Sequence, residues 1–94
     1  MSLRCIPEEN IYCVVLIFDG DEIYCPVAQE LYEKVREVPP GDYSKFYVEL
    51  QHPIIHADGE EAIVRLNLGG KHFRIPVTEH IYENISAHGV MELT

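Results

Sequence analysis

The sequence predicts an α+β domain in which one β-β-β-α-β unit is used twice, and three observations carry that prediction. Residues 14–35 align with 64–85 without a gap and share seven identities: Val14/Val64, Leu16/Leu66, Gly20/Gly70, Pro26/Pro76, Val27/Val77, Tyr32/Tyr82 and Glu33/Glu83. Unrelated segments of this length share roughly one or two, so internal duplication is the better explanation. Each copy also sets a turn-forming pair, Asp19-Gly20 or Gly69-Gly70, between two alternating apolar runs, which is the pattern of a two-residue hairpin. Finally, each second run ends at a proline and is followed by apolar residues four apart, as in a short helix. Two such units about a pseudo-twofold axis, each burying what the other exposes, give a small β-barrel or packed sheets with two short helices. The chain is then a single domain, 1–94, made of repeats at about 3–50 and 53–94.

The elements follow in order. Leu3–Ile6 reads as a strand that returns through 7–10, and Ile54-Ile55 as one that turns at Asp58-Gly59 into a strand over 61–68. The first hairpin turn sets Leu16 opposite Ile23 and Val14 opposite Cys25; the second sets Leu66 opposite Phe73 and Val64 opposite Ile75. Alternation then directs Val14, Leu16, Phe18, Ile23 and Cys25, with Val64, Leu66, Leu68, Phe73 and Ile75, to one inward face, the predicted core. Pro26 and Pro76 suit the first helical position, where no N–H is needed. The helices carry the stripes Val27-Leu31-Val35 and Val77-Ile81-Ile85. Pro39-Pro40 stops the first, and His88-Gly89 stops the second with glycine as its cap. "SKFYVEL" at 44–50 alternates as a strand after the first helix, and "VMEL" at 90–93 is its shorter counterpart.

Charge narrows the partners. Sixteen acidic against seven basic side chains leave −9, which repels phosphate backbones, argues against nucleic acid as a partner and favours a basic protein. The longest apolar run, "CVVLIF" at 13–18, is strand-sized, and "MSLRCIPEEN" has no long apolar segment, so neither a membrane span nor a secretory signal is expected. Three cysteines (Cys5, Cys13, Cys25) without C-x-x-C spacing fit free thiols in a reducing compartment, the cytoplasm.

Signatures of chemistry are sparse. Gly-x-Gly-x-x-Gly, P-loop and Gly-x-Ser-x-Gly patterns are absent, and the glycines of "GGKH" at 69–72 are explained by the hairpin turn. His52 and His56 share one parity but flank Pro53, and His80 and His88 are two helical turns apart, so no metal site and no cofactor are expected. The acidic pairs Glu8-Glu9, Asp21-Glu22 and Glu60-Glu61 fall at strand ends or turns, where carboxylates are solvated. No catalytic residue is assigned, and the chain is read as not an enzyme.

The hairpin, the proline-led short helix and the following "PPGDYSKFYVEL", with a turn at Gly41-Asp42, resemble the cradle-loop barrel group. "KHFRIPVTEHIYENI" is similar to the strand and helix of its swapped-hairpin branch, the AbrB and MazE type of DNA-binding regulators and antitoxins. The resemblance implies a small barrel. Three features depart from it: this chain holds two units where those proteins carry one and dimerise, the second copy has no Gly-Asp after its helix, and the chain is acidic where their DNA-facing surface is basic.

The two copies differ on their outward positions. Arg65, Asn67, His72 and Arg74 make the second copy's outer face polar and basic, whereas Cys13, Val15, Ile17, Glu22 and Tyr24 make the first largely apolar. A strand apolar on both faces is covered on both, by its own chain or by a partner. Cys13, Val15, Ile17 and Tyr24 are therefore the candidate interface, and a homodimer built on them is expected. The leading functional expectation is a small acidic, non-enzymatic protein-binding module: an inhibitor, antitoxin, immunity-type or regulatory factor. The alternatives are a divergent swapped-hairpin DNA-binding regulator, contacting an anionic partner through Arg65, Lys71, His72 and Arg74, and a small metal-dependent or carboxylate-based hydrolase.

Overall fold

The computed structural model describes the backbone of residues 1–56 and 59–93 and the side chains of 1–51 and 62–92. β1 (Ser2–Ile6), β2 (Ile11–Phe18) and β3 (Asp21–Pro26) form an antiparallel sheet in that spatial order, followed by α1 (Gln29–Arg36) and a 3-10 turn over Pro40–Lys45. β4 (Tyr47–His56), β5 (Gly59–Leu68) and β6 (Lys71–Val77) form a second antiparallel sheet, and α2 (Glu79–Ser86) follows. The two-residue β7 (Glu92–Leu93) lies parallel to β4 and extends that sheet to the order β6-β5-β4-β7. Among the described residues no ladder joins the two sheets. The fold is thus α+β with two packed sheets and two short helices; it is not a closed barrel.

Both hairpins form in the expected register, with Leu16 opposite Ile23 and Leu66 opposite Phe73. The turns need positive φ at both central residues, and Asp19 (49°), Gly20 (88°), Gly69 (53°) and Gly70 (83°) supply it. Gly69 has a second reason to lack a side chain. A Cβ there would strike the Asp42 carboxylate, which the 3-10 turn of the first half lays over the second hairpin.

One cluster spans both halves. Val14, Leu16, Ile23 and Cys25 pack with Val48, Leu50, Val64, Leu66, Leu68 and Ile75, all buried. Phe18 and Phe73, expected inside, are only partly buried at its margin. The helices bury Tyr32 and Val35, and Tyr82 and Ile85, a spacing of three. Of the spacing-of-four stripes, Val35 and Ile85 alone are fully inside, while Val27, Leu31, Val77 and Ile81 lean against the cluster.

Two sequence expectations are corrected. Pro26 and Pro76 end strands rather than start helices: Pro26 closes β3 opposite Cys13, Pro76 lies in β6 opposite Ile63, and the helices begin three residues later, at Gln29 and Glu79. The missing N–H explains both placements. Val27 N–H donates to Tyr12 O, so Tyr12 turns its backbone toward β3 and the adjacent Cys13–Pro26 pair is of the kind that exchanges no hydrogen bond. The proline lacks only an N–H that would point away from the ladder. The second correction concerns β4. The segment 44–50 and the later Ile54-Ile55 were expected as separate strands; they form one ten-residue strand that begins at Tyr47, and a register shift between Gln51 and Ile54 absorbs Pro53. One strand thus ends the first repeat and opens the second. Asp58 of the expected turn lies outside the described residues.

Candidate functional site

The sheet ladders fix which side chains share the outer face of the first sheet. Across β1, β2 and β3 they run in rows: Ile6 beside Ile11; Arg4, Cys13 and Pro26; Ser2, Val15 and Tyr24; Ile17 beside Glu22. Among the described residues six large apolar side chains stand exposed, and four lie on this face: Ile6 (46%), Ile11 (42%), Ile17 (37%) and Tyr24 (46%). With about 40% of some 200 Å² open on each, they offer roughly 300 Å² of apolar surface, the size of a functional patch on a monomer. Arg4, Cys5, Ile6, Ile11, Cys13 and Tyr24 line a concavity of about 300 Å³ across the β1 side of the face. Tyr24 is held over it by a 2.9 Å hydrogen bond from its hydroxyl to Glu22 Oε2, and that carboxylate raises the tyrosine pKa.

Of the four residues read as an interface, Ile17 and Tyr24 are exposed, Cys13 is half-buried and Val15 has no exposed surface. Val15 departs from expectation because it occupies the middle strand, flanked across the two ladders by Ser2 and Tyr24. A short β-branched side chain there is shielded by its neighbours. Ile6 and Ile11 were missed. Asn10, in the left-handed region at φ 55°, closes the turn after Pro7–Glu9 so that Ile6 meets Ile11. The signal was the asparagine after "PEE", a residue that tolerates such a turn.

The second sheet's outer face is different in kind. Arg65 sits opposite Arg74, and Asn67 opposite His72, so three of the four expected cationic contacts converge. Lys71 does not join them: it pairs with Leu68 at the hairpin tip and has the parity of the inward face.

A second apolar concavity of about 460 Å³ opens where the chain returns from α2, lined by Phe18, Phe46, Tyr47, Val48, His88 and Met91. His88 lies beyond the end of α2, not on it. Its ring stacks on Phe18 with centroids 5.2 Å apart, its Nε2 is 3.5 Å from Asp21, and Phe18 meets Phe46 edge-on. Histidine here ties the second helix to the first hairpin. Among the described residues no three His, Cys, Asp or Glu side chains gather as metal ligands; the side chains of His52, His56, Glu60 and Glu61 lie outside those described. All three cysteines are free thiols, and burial pushes the Cys25 pKa up to about 12. Among the described residues no helix is long and apolar enough to cross a membrane.

No family model, no curated protein and no solved structure matches this chain.

Proposed function

We propose that this chain is a small acidic, non-enzymatic protein-binding module of the cytoplasm, and that the outer face of the first sheet is its contact surface. One observation carries the reading: four of the six exposed large apolar side chains among the described residues share that single sheet face. Scattered singly they would need no explanation; gathered around a tyrosine and a concavity they have the composition of an interface core. The chain's charge of −9, with Glu8, Glu9 and Glu22 bordering the face, favours a partner with basic residues around an apolar centre. The roughly 300 Å² available is well short of the ~800 Å² each side of a stable protein complex contributes, so the face is one part of a larger contact.

A photo-crosslinking amino acid at position 17 tests this in the cells that make the protein, with position 84 on α2 as the exposed control. A discrete adduct from position 17 and none from position 84 is expected. Adducts of equal yield from both, or none from 17, would refute the face.

A second reading draws on the convergence of Arg65, His72 and Arg74 on the other sheet. It makes the chain a regulator that meets duplex DNA there. Titration with a DNA duplex at two salt concentrations separates the readings, because phosphate contacts weaken steeply with salt. The acidic balance of the chain favours the first.

A further inference from the structure

Comparison of the two sheets exposes a strand position that is filled in one and open in the other. In the second sheet Leu50 pairs with Val64, and its N–H points away from β5 to donate to Met91 O at the entry to β7, 2.9 Å away. In the first sheet Leu3 pairs with Val14, the residue that aligns with Val64, so Leu3 stands where Leu50 stands. The ladder phase agrees. Tyr12 O is taken by Val27 N–H, so the Cys5–Tyr12 and Leu3–Val14 pairs exchange no hydrogen bonds with each other. Leu3 and Cys5 therefore direct their N–H and C=O groups off the free edge of β1. Tyr43 O, close to Met1 N at 3.3 Å, is the nearest counterpart of the β7 contact, and it ends there. Among the described residues no backbone hydrogen bond reaches Leu3 or Cys5 from that side. The chain that would supply the missing strand has been drawn into β4 instead. Arg4, Cys5 and Ile6 are exposed, and β1 carries no proline, no lysine and no bulge to blunt the edge.

We infer that the open edge of β1 pairs antiparallel with β1 of a second copy of this chain, across a twofold axis at Cys5. A twofold axis lets one edge pair with itself, the outward N–H and C=O of Cys5 meeting those of the second copy's Cys5. Three registers keep outward groups facing outward groups. Pairing Leu3 with Cys5 of the second copy places Arg4 directly on Arg4, a repulsive cross-strand pair. Pairing Leu3 with Leu3 brings Cys5 against the position of Met1, where Tyr43 already sits. Pairing Cys5 with Cys5 sets Arg4 beside Ile6, so the arginine stem covers an exposed isoleucine; Leu3 then faces Pro7, which has no N–H and whose carbonyl already accepts from Asn10 N–H, so the two hydrogen bonds between the Cys5 residues are those the pairing gains. This register also keeps both outer faces on the same side. The product is a continuous six-stranded sheet whose two apolar faces join into one platform of roughly 600 Å², approaching the area one side of a specific complex contributes. The inference rests on the outer face being a contact surface and names the arrangement that enlarges it.

The test uses the intact protein. Sedimentation velocity from low to high micromolar concentration should show a monomer–dimer equilibrium. Amide exchange at Cys5 should slow about tenfold or more as the dimer forms, while the rest of the outer face is unchanged. Cys5→Pro removes one outward N–H at a site an edge strand tolerates, and it should raise the dimer dissociation constant about tenfold with the circular dichroism intact. Should that variant misfold, Cys13→Ser leaves Cys5 as the accessible thiol; Cα atoms about 5.5 Å apart in such a pair allow a Cys5–Cys5 disulfide to form under mild oxidant. A protein that stays monomeric throughout overturns the pairing, even where position 17 still captures a partner. A dimer in which Cys5 exchanges as in the monomer, and which Ile17→Lys dissociates, overturns it too, because that dimer would form through the outer face and leave the reading of that face standing.

Discussion

Leu16 and Leu66 occupy equivalent ladder positions in the two hairpins, and neither has any exposed surface. Replacing either with alanine removes three buried carbons, about 2.4 kcal/mol at roughly 0.8 kcal/mol each. The cavity left between the sheets adds to that, so about 3 kcal/mol, within the 2–5 kcal/mol usual for such sites, is expected from each change. Both side chains belong to one cluster that includes Cys25 of the first half and Ile75 of the second. The two losses should therefore agree within about 1 kcal/mol, and each should lower the melting midpoint by roughly 12–24 °C in a chain of this size. Urea unfolding followed by circular dichroism and by tyrosine fluorescence is the assay, since tyrosines lie in both halves. Each variant should unfold in one transition, with the two probes coincident and the denaturant slope unchanged. A silent substitution, or two separate transitions, would show that the halves do not share a core and would refute the reasoning.

Glycine scanning of the hairpins should split. Gly20→Ala meets only the positive-φ penalty of about 1–2 kcal/mol, whereas Gly69→Ala must also displace Asp42, and a Gly69→Ala loss no larger than that of Gly20→Ala in thermal unfolding would contradict the packing. Cys25 should resist thiol reagents in the folded protein while Cys5 reacts, as mass spectrometry of alkylated protein would read. Because burial holds the Cys25 thiol protonated up to about pH 12, the unfolded chain releases that proton first. Stability from this group is complete below about pH 8.5 and falls by up to about 1.4 kcal/mol per pH unit as the pH rises toward 12. A Cys25→Ala variant with the same alkaline slope as the wild type would count against it.

The hairpins were legible because their signals agree at two levels. A Asp-Gly or Gly-Gly pair fixes a two-residue loop, the loop fixes the register, and a period of two then assigns every inward residue. Pro26 and Pro76 were ambiguous for a physical reason: a residue without an N–H suits the first helical turn and the outward-facing slot of an edge strand equally well. Only the phase of the ladder, set by Val27 and Tyr12, decides between them. The joining of 44–50 to 54–55 was hidden by Pro53, which reads as a strand break although the sheet accommodates it by a register shift. The outer face was half legible. Ile17 and Tyr24 follow from alternation alone, but Ile6 and Ile11 depend on the left-handed Asn10, and the shielding of Val15 depends on the strands at either side.

The contact surface is tested most directly by comparing how its side chains are labelled in the purified protein and in extract of the cells that make it. Hydroxyl-radical footprinting reads Ile6, Ile11, Ile17 and Tyr24, and the more exposed Tyr47 and Met91 serve as controls in the same molecule. Selective protection of the first four in extract, with Tyr47 and Met91 labelled as in the purified protein, is the expected result. Labelling of all six that is unchanged between the two samples would contradict the assignment of that face as the surface through which this protein works.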